Sequence, residues 1–92
     1  MYKITKRQRE MAENLDVTIK PSSNPNKKID VYNKYGHKIA EIGDIRYLDF
    51  DLYIQKKGLA YAKERRRLYK IRHEKDRKIK GTAGFYADKI LW

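Results

Sequence analysis

Apolar and polar positions alternate in three short stretches in the first half of the chain. Val17-Thr18-Ile19-Lys20 reads as a strand closed by Pro21. Ile29-Asp30-Val31-Tyr32 and Lys38-Ile39-Ala40-Glu41-Ile42 read as two more, separated by Asn33 to His37. Gly36 in that stretch can take the left-handed position of a type I turn with a following bulge, so the pair is a predicted hairpin over 29–42. With strand 17–20 it makes a three-stranded antiparallel sheet, one face wet and one face packed. Such a small sheet needs a helix on its dry face. Between the first two strands, Ser22 to Lys28 is polar and contains Pro25, which suits a solvated connector better than a phosphate-contacting loop.

Helical signals flank this sheet. Thr5-Lys6-Arg7-Gln8 fits a capping box, which predicts a short helix from Lys6 to about Glu13. Its only apolar residues are Met11 and Ala12, so residues 1–14 read as a loosely docked basic helix or arm ahead of a single α+β domain over 15–92. After Gly43-Asp44, Asp49 or Asp51 can cap a short helix through Ile54 that breaks at Gly58. Leu, Ala, Lys, Glu and Arg then run from Leu59 to Lys78 without Gly or Pro, predicting one long helix over about 59–78. Gly81 and Gly84 let the chain turn before Phe85 to Trp92, its densest apolar segment. Burying Phe85, Ile90, Leu91 and Trp92 would contribute roughly 1.5–3 kcal/mol each. A short C-terminal helix that locks the fold is therefore expected, with a docking peptide for another subunit as the competing reading. The predicted class is α+β.

Charge changes the picture most. Residues 55–80 hold twelve of the 23 Lys and Arg and three of the twelve acids, a net of +9 out of +11. At 100° per residue, Lys63, Arg66, Arg67, Lys70 and Arg77 share one face of the predicted helix. Tyr61 and Leu68 fall opposite, and Arg65 and Arg72 between. That arrangement makes Tyr61, Arg65, Leu68 and Arg72 structural, with the two arginines stacked on tyrosine or paired with Asp49 or Asp51. Tyr61 and Tyr69 offer stacking surfaces beside the arginines. A charge run is usually a solvated face, but here the acids are too few to balance it, as is common in nucleic-acid binders.

Composition narrows the rest. A 92-residue chain makes one domain that buries about 60–65% of its unfolded surface. With eight Tyr, two Phe and one Trp, the core is expected to be thin and rich in tyrosine. The absence of cysteine excludes disulfides and thiolate metal sites. No apolar run approaches the ~20 residues that span a bilayer, and no signal-peptide core follows Met1, so a protein that is soluble or held by other proteins is expected rather than a secreted one. His37 and His73 have no second ligand at metal spacing, no glycine-rich phosphate loop is present, and Ser22 and Ser23 lack a nearby base. No catalytic residue, metal or cofactor is therefore expected. No ribonucleoprotein, zinc-finger or helix-turn-helix signature appears either, so any nucleic acid would be held by its phosphates, largely without regard to sequence.

The succession VTIKPS…KKIDVYNKYGHKIAEIGD…AYAKERRRLYKIRHEKDR…GTAGFYADKILW resembles a family of small basic proteins encoded by large DNA viruses, chiefly algal and related giant viruses, with distant versions in some tailed phages. The likeness runs over nearly the whole chain and is most specific at residues 65–77 and 81–92. It implies a viral origin, and with it a location in the virion or the host-cell interior (cytoplasm or nucleus), and supplies no catalytic residues. Two functions follow as expectations. One is a nucleic-acid-associated protein gripping phosphates through Lys63, Arg66, Arg67, Lys70 and Arg77. The other is a minor virion protein whose basic helix meets an acidic protein surface and whose apolar terminus plugs into a neighbour.

Overall fold

The structure, a computed structural model, describes residues 1–92. Helix α1 (Lys6–Asn14) opens with the capping box: the Thr5 hydroxyl accepts from the Gln8 N–H, and the Gln8 side chain accepts from the Thr5 N–H. Strands β1 (Thr18–Pro21), β2 (Lys27–Tyr32) and β3 (Lys38–Asp44) follow, then α2 (Phe50–Lys57), α3 (Leu59–Arg72), α4 (Ala83–Tyr86) and a π-helical turn over Ala87–Leu91.

The sheet is antiparallel with order β1-β2-β3. Ile19 lies opposite Val31, Ile29 opposite Ile42, and an irregularity at Val31/Tyr32 precedes the hairpin turn, on the β2 side rather than after Gly36. Gly36 in that turn has φ +82, the left-handed conformation its position required. Central strand β2 is buried along its middle. Ile29 and Val31 enter the apolar core, while Lys28 and Asp30 alternate with them and are buried with their charges met. Lys28 Nζ lies 3.0 Å from Asp49. Asp30 accepts from Ser22 Oγ at 2.6 Å and from the Ser23 N–H at 3.2 Å, with Lys38 Nζ at 3.7 Å. Burial by itself would raise the Asp30 pKa, but these donors outweigh it and hold the carboxyl below its ordinary range.

The core joins Ile19, Ile29, Val31 and Ile42 of the sheet to Ala12 of α1 and to Ile90 and Leu91 of the terminal turn. The C-terminal segment is thus folded into the core, with Ile90 and Leu91 buried and Trp92 half-buried, and the docking-peptide alternative falls away. Helix α1 is also tightly seated despite its few apolar residues. Ala12 and Gln8 are buried, and Arg7 reaches Asp51 at 2.7 Å and the Ile90 carbonyl at 3.1 Å.

Two expectations about the basic helix need correction. Its packing partner is chiefly α2, while α1 and the C-terminal segment cover the sheet's apolar face. It also ends at Arg72, with turns from His73 to Thr82 replacing the predicted helix through Lys78. Helix propensity is a weak prior that tertiary contacts override, and here two contacts compete with continuation. Arg77 folds back so that its Nε donates to the Lys70 carbonyl at 3.1 Å, an acceptor that a continuing helix would give to Glu74. Gly84 packs on the backbone of Asp76, where a Cβ would lie 3.4 Å from the Asp76 carbonyl oxygen.

Candidate nucleic-acid interface

Helix α3 starts directly after Gly58, so α2 and α3 form a helical pair, and the contact between them sets which residues of α3 face solvent. The one buried residue of α3 is Ala62. Tyr61, one residue back and about 100° around the helix, is 47% exposed and lies tilted against the Tyr53 ring, 5.7 Å between centroids and 47° between planes. Leu68 and Ile71 are 37% and 60% exposed. The expected inward face of Tyr61 and Leu68 therefore points largely outward. The inward side is built from Ala62, from Arg66 lying 4.2 Å from the Phe50 ring, and from Tyr69.

This rotation redistributes the expected basic face. Lys63 is exposed and free of any acidic partner. Arg66 is half-buried on Phe50, a ring that Arg7 also approaches at 5.1 Å. Arg67 is exposed but forked onto Glu64 at 2.6 and 3.1 Å. Lys70 reaches the buried Asp88 at 2.7 Å. Arg77 lies off the helix altogether, bonded to Glu74 and 3.9 Å from Asp88. The structure does not bring the five together as one open row of charge.

Arg65 meets its expectation, half-buried with its guanidinium 5.5 Å from the Tyr53 ring. Arg72 does not: it is exposed and unpaired. The acids proposed for it are engaged elsewhere. Asp49 caps α2 through the Leu52 N–H and accepts from Lys28 and the Tyr2 hydroxyl. Asp51 accepts from Arg7 and Thr5. Tyr69 is likewise no open platform, because it stacks on Trp92 (4.6 Å, 12°) and on His73 (4.4 Å, 30°). Burial, with the Asp88 charge nearby, raises its phenol pKa. Phe85 packs edge-on against Tyr86 at 5.4 Å.

Residues 55–80 still leave eight cations without a carboxylate within 4.0 Å: Lys56, Lys57, Lys63, Arg65, Arg66, Arg72, Lys75 and Lys80. They lie on the α2–α3 pair and the turns after it. Only Asp76 among the three acids there makes no ion pair. Sequence reasoning missed Asp88, Lys28 and Gln8 as buried polar residues. Asp88 lies 18 residues from Lys70, too far for any local pattern to join them. No three His, Cys, Asp or Glu side chains converge as metal ligands would. No helix is long and apolar enough to cross a membrane. No family model, curated protein or solved structure matches the chain.

Proposed function

We propose that this chain binds nucleic acid through its phosphates and without sequence preference. The surface used is the α2–α3 pair with the turns after it, and the observation that supports it is the group of eight unneutralised cations there, six of them on the two helices. Exposed lysines and arginines that have no internal acid release condensed counterions from a polyanion on contact, which is the main source of non-specific affinity. The grip centres on Lys57, Lys63 and Arg72 more than on Lys70 and Arg77, whose charges are already spent within the fold. Duplexes of unrelated sequence titrated at increasing salt test this reading. Equal affinities that weaken steeply with salt support it, whereas salt-insensitive or absent binding refutes it.

A second reading, a minor structural protein of a virion, draws support from Leu68 and Ile71 exposed on α3 beside Arg72. Its contact would be this mixed apolar and basic helix face against an acidic protein surface, since Ile90 and Leu91 are committed to the core. Recovery of the chain in purified particles, together with no affinity for nucleic acid, would favour it.

A further inference from the structure

A cleft opens between the Asp44–Asp49 loop, α2, α3 and the terminal turn, with a volume of about 560 Å³. That lies within the few hundred to about 1,000 Å³ of small-ligand sites. Two chemistries meet in its lining. Tyr47, Tyr53 and Trp92 supply aromatic surface, with Tyr47 65% exposed at the rim. Arg65 and Arg72 supply guanidinium groups with no carboxylate partner. The two arginines stand seven residues apart, two turns along one side of α3. His73 follows directly, its ring held against Tyr69.

The acids of the lining do not cancel this charge. Asp44 is forked onto Arg46 at 2.7 and 3.1 Å, and Asp49 is buried with Lys28 and Tyr2 bonded to it. An occupant therefore meets aromatic rings and two unneutralised forks, one of which, Arg65, lies 5.5 Å from the Tyr53 ring. A molecule that is flat and apolar at one end and multiply anionic at the other satisfies both. Planar guanidinium groups match phosphate geometry, and aromatic rings accept any base.

We propose that the cleft takes one nucleotide unit, its base against the aromatic rings and its phosphate on Arg65 and Arg72. The inference rests on the nucleic-acid reading above and adds a preference to it. A base inside a duplex is stacked and cannot enter, so the cleft selects single strands or free nucleotides. Trp92 is the only tryptophan, so its fluorescence reports on this cleft.

The test titrates that fluorescence with oligo(dT), a random duplex of equal length, thymidine monophosphate and inorganic phosphate. Both oligo(dT) and thymidine monophosphate should change Trp92 emission, and the duplex should bind without doing so. Arg72→Ala should weaken both responses about tenfold, the loss of one charge-assisted contact. Lys34→Ala removes the same charge at the exposed hairpin tip and should leave both responses in place. A response to the oligonucleotide alone assigns the site to polymer, and a response to the monophosphate without binding of either polymer keeps the site but refutes the function proposed above. Salt-dependent binding of oligo(dT) with unchanged Trp92 emission overturns the cleft and leaves that function standing. Phosphate acting as well as the nucleotide also overturns it, because the rings would then contribute nothing. Silence toward every probe refutes both.

Discussion

Lys70 crosses from α3 to the C-terminal segment and holds Asp88 at 2.7 Å, and Asp88 is 1% exposed. Arg77 and Lys89 stand 3.9 Å from the other carboxylate oxygen, which has no hydrogen-bond partner. A residue that looks like part of a phosphate-gripping row is therefore a clamp between the basic helix and the segment that completes the core. The charge is spent in folding the molecule, and the surface field comes from its neighbours.

Lys70→Ala should then destabilise the protein, although a solvated lysine at the same place would be dispensable. It leaves a buried carboxylate with only distant cations, and about 2–3 kcal/mol is expected after discounting for the partial exposure of Lys70. Asp88→Asn should cost less, and adding it to Lys70→Ala should recover part of the loss, since the orphaned charge is then gone. Urea midpoints of the two single variants and the double variant give the coupling. Strict additivity would show that the pair does not interact.

Gly36 and Gly43 have nearly the same backbone, φ +82 and +80, in different surroundings. A Cβ on Gly36 would meet nothing within 4 Å, whereas on Gly43 it would lie 2.8 Å from Leu91 Cδ1 and 2.9 Å from Lys28 Cδ. Gly36→Ala should cost about 1–2 kcal/mol, the backbone penalty alone. Gly43→Ala adds overpacking against the core and should cost about 2–4 kcal/mol. Thermal melts of the pair separate strain from crowding, and equal losses would mean that the core around Leu91 yields freely.

These contacts mark where the sequence could be read and where it could not. Local rules carried the capping box at Thr5 and Gln8, an aspartate cap on α2 at either Asp49 or Asp51, the Gly36 turn and the three strands, because each depends on residues within a few positions. The α+β class followed from those elements. The rotation of α3 did not follow. Three consecutive arginines and aliphatic residues scattered around the helix leave its inward side undecided, and the folded chain buries only Ala62 there, with Arg66 set on Phe50. The same limit hid the end of the helix, which depends on Arg77 returning to the Lys70 carbonyl, and the engagement of Asp49 and Asp51 by α1, β2 and the N-terminal residues. For the candidate site, the segment was legible and the set of free charges was not.

The N-terminal residues also set a limit at alkaline pH. The Tyr2 hydroxyl donates to Asp49 and accepts from Gln8 Nε2 at 2.7 Å. Burial first, then the bond to Asp49 and its charge, raise the phenol well above the usual tyrosine range. A raised pKa means that the folded state keeps a proton the unfolded chain gives up at about pH 10. The contribution of Tyr2 is therefore intact below about pH 10 and is lost as pH rises further, at about 1.4 kcal/mol per pH unit for one proton. Tyr2→Phe should lower stability at neutral pH by about 1 kcal/mol, the net worth of its hydrogen bonds, and make the alkaline decline shallower. Denaturation midpoints across that range decide it, and parallel declines would place the titration elsewhere.

The last prediction separates free cations from spent ones. If the proposed surface engages about four phosphates, the log–log salt dependence of duplex binding should have a slope near −4, at about −0.9 per phosphate. Lys57 and Lys63 are exposed and lack acidic partners, so Lys57→Ala with Lys63→Ala should flatten the slope by about two units and leave the melting temperature nearly unchanged. Lys70→Ala removes a charge from the same helix, but its partner is Asp88. Measured under conditions where the variant stays folded, it should lower stability while leaving the slope close to that of the parent. The contrast matters because the composition alone predicts the same change in affinity per charge removed. If the Lys70 variant shifts the slope as much as either lysine of the double variant, binding follows net charge, and the arrangement of the α2–α3 surface plays no part in it.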